Sequence, residues 1–252
     1  MIKLEHIVLA SPEQMEFIIQ GMRNPMNSWD RSDSDYVAIR DGNEIVETGK
    51  FAIGQNDHSL MQRLANAGTD HRKFMRMMPV YVRITAPLYW WKEFDTYKVA
   101  TVANSCSTMH KIQEKEFTLE DFSTDKIIDT GEPGYENMYD DLVLTLLFDY
   151  EKQYYDPHDI FSEILIRALN LYRKRYLETK DKKYWWQMIQ LLPSSYNQTR
   201  NVMLNYEVLA NIYKSRKNHK LDCWRDFCAW IKTLPYSELI TGEENERTME
   251  RN

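Results

Sequence analysis

Apolar and polar positions alternate over residues 2–9, the pattern of a half-buried strand at the start of the chain. Ser11-Pro12-Glu13-Gln14 then supplies an N-cap, a proline at the first helical position and a polar partner at N3, which predicts a helix from about Pro12 to Arg23. Residues 24–56 are rich in Asn, Asp, Ser and Gly and contain only short strand-like pieces such as Tyr36-Val37-Ala38-Ile39, so they read as loops and turns carrying small strands. A short amphipathic helix is expected over 59–67. Alternation returns at 79–85, with Val80, Val82 and Ile84 on one face and Tyr81 and Arg83 on the other. Ala86-Pro87 should then open a helix whose Tyr89, Trp90, Trp91 and Phe94 are too large to leave in water, which assigns it to the core or to a subunit contact.

Further along, a turn-rich link at 125–136 contains Gly131-Glu132-Pro133-Gly134, and helical patterns follow at about 137–154, 158–178, 181–191, 199–216 and 220–232. Strands early and helices late describe a mixed domain, α/β or α+β, rather than a pure bundle. A single domain over 1–241 is expected. Residues 242–252 are charged and almost without apolar side chains, as a mobile tail would be.

Composition narrows the function classes. The formal charge is −6 and no long Lys/Arg block offsets it, so a protein that coats nucleic acid is not expected, whereas a phosphate-bearing small molecule needs only a few local cations. The longest strongly apolar run, 142–148, is interrupted by Thr145 and falls well short of the roughly 20 residues a membrane span requires. The amino terminus has no apolar signal core, and Cys106, Cys223 and Cys228 are an odd set that suits reduced thiols, so a cytoplasmic protein is expected. The chain has no phosphate-binding Gly-x-x-x-x-Gly-Lys loop, no Gly-x-Gly-x-x-Gly fingerprint and no Gly-x-Ser-x-Gly elbow, and His58, His71 and the Cys223/Cys228 pair lack zinc-ligand spacing.

Two stretches carry more specific information. Ile84-Thr85-Ala86-Pro87 leads through Tyr89-Trp90-Trp91-Lys92-Glu93-Phe94 to Asn104-x-x-Ser107, and Leu192-Pro193 is followed without a gap by Asn205, Leu209, Asn211 and Arg216. Together they resemble the flavin-dependent thymidylate synthases, whose signature runs Arg-His-Arg, two variable residues, Ser, one variable residue, Asn, two variable residues, Ser, one variable residue, Arg. Where Arg-His-Arg is expected the chain has Asp95-Thr96-Tyr97-Lys98 or Tyr97-Lys98-Val99, so only Lys98 keeps a positive charge. Ser105 stands at the acidic position after the Asn, Met109 at the closing Arg with His110 beside it, and Glu207 at a position where the family places Arg against the flavin.

The resemblance implies an α+β fold with a central, mainly antiparallel sheet, flanking helices and a long C-terminal helical region, assembled as a homotetramer with active sites between subunits. It implies reductive methylation of dUMP or a related pyrimidine nucleotide, with hydride from reduced FAD, the one-carbon unit from methylenetetrahydrofolate and electrons from NADPH. By resemblance Arg216 binds and polarises the pyrimidine as the catalytic residue, Ser105 and Ser107 sit at the nucleotide, and Lys98, Asn104, Asn205, Asn211 and His219 hold flavin or phosphate. On one helix, Asn205, Leu209, Ile212 and Arg216 would share a stripe and Glu207 and Asn211 another, with Asn205 and Arg216 roughly 16 Å apart along the axis. Asn104 and Ser107 also read as loop caps, and the helix as an ordinary amphipathic core segment. Tyr97, Val99, Met109 and Glu207 favour an alternative: a non-catalytic nucleotide-binding or assembly homologue that has lost flavin.

Overall fold

The computed structural model describes residues 2–41, 44–127 and 164–242. Strand β1 (Lys3–Leu9) leads into helix α1 (Pro12–Arg23), which starts where the spacing of Ser11 and Gln14 places it. Gln14 N–H donates to Ser11 Oγ at 3.3 Å and Ser11 N–H donates to Gln14 Oε1 at 2.9 Å, satisfying two end groups reciprocally. Ile18, Ile19 and Met22 form the buried face of this helix.

The segment read as loops and turns carrying small strands contains an antiparallel pair, β2 (Asp35–Asp41), which includes the expected Tyr36-Val37-Ala38-Ile39, and β3 (Glu44–Ala52), with a register shift between Tyr36 and Ala38. A two-stranded ribbon has little to bury, so it lacks the long apolar alternation that marks a core strand; Tyr36 and Phe51 instead meet edge to face across it at 5.3 Å. Helix α2 (Gln55–Asn66) begins four residues before the amphipathic pattern at Ser59. Its first turn is capped from a distance, since Asp33 accepts from Asn56 N–H at 2.8 Å and from Asp57 N–H at 3.0 Å. The N-cap must be Gly54, because a Cβ there would lie 2.2 Å from Asp33.

Strand β4 (Pro79–Pro87) runs on through Ala86-Pro87, so helix α3 (Leu88–Phe94) opens one residue later than expected. Then come β5 (Val102–Ser105), α4 (Arg167–Thr179), α5 (Lys182–Leu191), β6 (Asn197–Asn205), α6 (Tyr206–Arg216), α7 (Asp222–Ile231) and the short α8 (Glu238–Thr241). The four-stranded antiparallel sheet has the order β1-β4-β6-β5. The helix expected at 137–154, the first part of that at 158–178, most of the turn-rich link and the tail beyond Gly242 lie outside the described residues.

Contacts divide the chain into two compact units. One contains Thr85–Lys92 and Ser105–Thr199; its core clusters Ile112, Phe117, Phe122, Ile166, Leu169 and Met188. There, Asn170 of α4 exchanges hydrogen bonds with both backbone groups of Phe117 (2.9 and 2.8 Å). Trp90 and Trp91 are buried within the chain, and the Trp91 indole donates to Gln198 O at 2.9 Å, which gives this aromatic pair a core role.

The other unit contains Ile2–Ile84, Glu93–Asn104 and the chain from Arg200 onward. Its core joins Ile18, Met61, Met75, Val80, Ile84, Leu204, Leu209, Ile212, Phe227 and Ile231. Within it Asp57 is fully buried yet accepts from Arg23 Nε at 2.5 Å and from the hydroxyls of Ser32 and Ser34 at 2.7 Å each. Burial alone would raise the Asp57 pKa, but the two hydroxyls and the guanidinium reverse that and hold it below the ordinary aspartate value. A depressed carboxyl adds stability that is present above its unfolded pKa and is lost as pH falls through the folded one. Asp57→Asn should therefore cost about 3–5 kcal/mol at neutral pH, by leaving the Arg23 charge buried and unpaired. The penalty in urea melts should shrink as the pH falls below the ordinary aspartate value, where the unfolded chain takes up the proton first, and vanish only at the lower pH that protonates folded Asp57.

Candidate functional site

Helix α6 organises the candidate site, and its start differs from the sequence expectation. Residues 199–205 are strand: Gln198, Val202 and Leu204 on one face of β6 are buried while Thr199, Asn201 and Met203 between them are not, a period-two pattern, broken at half-buried Arg200, that the polar residues conceal. Asn205 is thus the N-cap of α6 rather than a residue inside the helix. Its backbone is extended (φ −140, ψ 170), and its side chain, only 4% exposed, accepts from Val208 N–H at 2.9 Å. The Tyr206 N–H donates to Met78 O at 3.2 Å, so the strand-to-helix junction leaves no slack.

One face of α6 carries Glu207 and Asn211, a turn apart as the helical spacing requires. A single guanidinium spans them. Arg72 Nε lies 2.9 Å from Glu207 Oε2, an ion pair without hydrogen-bond alignment, and Arg72 Nη2 donates to Asn211 Oδ1 at 3.1 Å. Arg72 immediately precedes the short helical turn Lys73–Met77 and was not singled out by the sequence pattern.

The other face ends in Arg216, and here the geometry is most developed. Arg216 Nη1 donates to Glu93 Oε2 at 2.8 Å, and Arg216 Nε donates to the Tyr97 hydroxyl at 2.9 Å. The guanidinium carbon stands 4.8 Å from the Trp224 ring centroid and 5.8 Å from that of Tyr97. Trp224, itself fully buried, donates its indole N–H to the same Glu93 oxygen at 2.8 Å. His219 Nδ1 accepts from Leu221 N–H at 3.2 Å, which leaves the Nε2 side of the ring 3.5 Å from Glu93 Oε2. The turn bearing Tyr97 is anchored to β6, where Arg200 Nη1 donates to Asp95 Oδ1 at 2.7 Å. Nearby Cys228 is pushed up to about 11 by burial, against the opposing pull of the Arg216 and Lys232 charges, so its thiol stays protonated at neutral pH.

Lys98 and Asn104 belong to the same compact unit and are exposed. Ser105 and Ser107 belong to the other unit and are also exposed. Ser107 Oγ accepts from His110 N–H at 2.8 Å and from Met109 N–H at 3.3 Å, so its oxygen caps the loop while its own hydroxyl proton has no acceptor among the described residues. The loop is fixed further by Cys106 N–H donating to Thr199 O at 2.9 Å and by Gln198 Nε2 donating to Cys106 O at 2.8 Å. Glu93, Trp224 and Arg72 are the residues that sequence reasoning passed over. Glu93 had a signal, since it is an acid beside the large aromatic side chains Trp90, Trp91 and Phe94; Arg72 and Trp224 had none beyond composition. Among the described residues no group of His, Cys, Asp or Glu is arranged to hold a metal ion, and no helix is long and apolar enough to cross a membrane.

No protein-family model matches the sequence, and no curated protein matches it either. Solved structures do match over nearly the whole chain. The flavin-dependent thymidylate synthase ThyX of Helicobacter pylori, complexed with FAD and dUMP, superposes with a TM-score of 0.56 and 16% identity, over 96% of this chain and 97% of that one. A second structure of the Helicobacter pylori enzyme with the same ligands gives 0.56 at 15% identity over 96% and 97%. The UMP/dUMP methylase PolB of Streptomyces cacaoi, bound with 5-Br dUMP, gives 0.53 at 15% identity over 96% and 94%. The chain therefore has the fold of the flavin-dependent thymidylate synthases, a mixed α+β architecture with an antiparallel four-stranded sheet.

Two predictions follow from α6. Asn205→Ala should destabilise the protein by about 1 kcal/mol, whereas Asn205→Asp, which keeps the capping acceptor, should remain within a few tenths of wild type in thermal or urea melts. Arg72→Ala and Glu207→Ala should each destabilise, and the double variant should lose less than the sum of the two, with a coupling of about 0.5–3 kcal/mol in a double-mutant cycle.

Proposed function

We propose that this chain binds a pyrimidine nucleotide such as dUMP at Arg216 and methylates it reductively, as a homotetramer, using FAD, methylenetetrahydrofolate and NADPH. The observation that carries the proposal is the fixed state of Arg216: a carboxylate, a phenol and an indole face hold its guanidinium at the end of a buried, capped helix. The fold likeness adds that the proteins of the same architecture were solved with FAD and dUMP or with 5-Br dUMP. A guanidinium held this way donates to a ring carbonyl without a reorganisation cost and draws charge out of the pyrimidine. In the resemblance the positions of Ser105 and Ser107 belong to a nucleotide site, and Lys98 offers an ammonium that meets phosphate as a point charge.

The residues on the opposite face of α6 fit a flavin. Glu207 would repel a diphosphate if it stood alone, but Arg72 cancels its charge, and Asn211 keeps its amide N–H donors while its oxygen is engaged. Asn205 likewise keeps an amide donor beyond its capping bond, and Asn104 and His219 complete the set that would hold the cofactor. FAD, when bound, supplies the hydride; the chain's own groups bind, orient and polarise.

A second reading, a nucleotide-binding homologue without flavin, is favoured by one feature: Tyr97, standing in the Arg-His-Arg region, spends its hydroxyl on Arg216 rather than on a ligand. The visible absorption spectrum of the purified protein, taken before and after adding FAD and removing the excess, separates the two. A retained, protein-perturbed flavin spectrum and dUMP-dependent oxidation of the reduced flavin are expected. Colourless protein that nonetheless binds dUMP in calorimetry would select the flavin-free reading. In either case Arg216→Ala should weaken dUMP binding about ten- to a hundredfold, the loss expected for a charge-assisted donor, with the fold intact by circular dichroism.

A further inference from the structure

Glu93 has two oxygens in unequal situations. Oε2 takes the Arg216 and Trp224 N–H groups at 2.8 Å each and has His219 Nε2 at 3.5 Å, whereas Oε1 has no partner among the described residues. The Glu93 side chain is 33% exposed, so that second oxygen belongs to a group open to ligand or solvent. Arg216 is divided in the same way. Its Nε and one Nη1 proton are occupied, while Nη2 makes no hydrogen bond among the described residues, and the side chain is 19% exposed. A spare anionic acceptor and spare cationic donors therefore sit on two side chains that are joined to each other.

Neither side chain is free to swing away. If Glu93 left, the buried indole of Trp224 would lose its acceptor, and if Arg216 left, it would abandon both the Glu93 and Tyr97 bonds and its seat over Trp224. The pair is also close to neutral in sum. A phosphate brought to Arg216 would face the Glu93 carboxylate at the same time, so the arrangement suits a neutral, planar group that presents an acceptor and a donor side by side. The imide edge of a uracil-type base does this, its carbonyl oxygen adjacent to the ring N3–H.

We propose that Glu93 and Arg216 together read the imide edge of the bound base, Arg216 donating to a ring carbonyl and Glu93 Oε1 accepting the N3–H, so that Glu93 determines base specificity as well as positioning Arg216. This rests on the nucleotide reading above. It is tested by titrating dUMP and N3-methyl-dUMP into the wild-type protein, Glu93→Ala and Glu93→Gln by calorimetry, with thermal melts to establish that each variant is folded. Methylation at N3 removes the donor that Glu93 reads, so the wild type should bind N3-methyl-dUMP about ten- to a hundredfold more weakly than dUMP. Glu93→Ala should bind both ligands with similar, reduced affinity, and Glu93→Gln, which keeps an acceptor oxygen without the charge, should recover part of the discrimination. A group that merely supports the fold would lower both affinities and leave their ratio unchanged. An equal methylation penalty in wild type and Glu93→Ala overturns the inference while leaving nucleotide binding in place. Absence of dUMP binding to the wild-type protein overturns the functional reading and this inference with it.

Discussion

Trp224 is fully buried, and a buried indole N–H without an acceptor is costly; the acceptor it has is Glu93 Oε2 at 2.8 Å. That requirement brings a carboxylate to the edge of an aromatic cluster in which Phe94 stacks on Trp224 and both meet Phe227. Once the carboxylate is there, a cation is needed beside it, and Arg216 at the end of α6 provides one across the face of the same indole. Aromatic packing thus determines where the Arg216 guanidinium stands.

Helix α6 transmits that placement. Asn205 fixes its first turn to the end of β6, and Val208, Leu209, Ile212 and Tyr213 bury it, so the two polar clusters it carries have little freedom to drift. Each cluster sets one arginine against one glutamate: Arg72 with Glu207, and Arg216 with Glu93. Each also leaves hydrogen-bonding capacity over, in the amide of Asn211 and in Glu93 Oε1. Near-neutral pairs of this kind depend less on salt than isolated cations would.

How much of this was readable depends on which physical signal a residue leaves. The α1 start was legible because Ser11, Pro12 and Gln14 encode it locally, and β4 because Val80, Val82 and Ile84 alternate without interruption. Asn205, expected inside the helix on one stripe with Arg216, is instead its N-cap, whereas the placing of Glu207 and Asn211 on one face followed from helical period alone. The strand at 199–205 was not, since its outward residues are polar and its inward Gln198 is polar too; only pairing within the sheet makes it a strand. Arg72 and Trp224 were illegible for a different reason. Their meaning comes from partners 135 and 131 positions away in sequence (207 − 72 and 224 − 93), and nothing in a linear reading announces such a contact.

An Arg-His-Arg run concentrates positive charge at one turn, where it attracts any phosphate. In this chain that turn holds Asp95, bound to Arg200, and Tyr97, bound to Arg216, so it has become part of the scaffold that orients a cation located elsewhere. Arg72 reaches Glu207 from a segment outside both sequence stretches that resemble the family. Lys98 is left as an exposed ammonium at the altered signature, with long-range attraction but no bidentate geometry. The group with the most fixed geometry here is the Glu93–Arg216 pair, locked on one side by an indole that cannot leave the core.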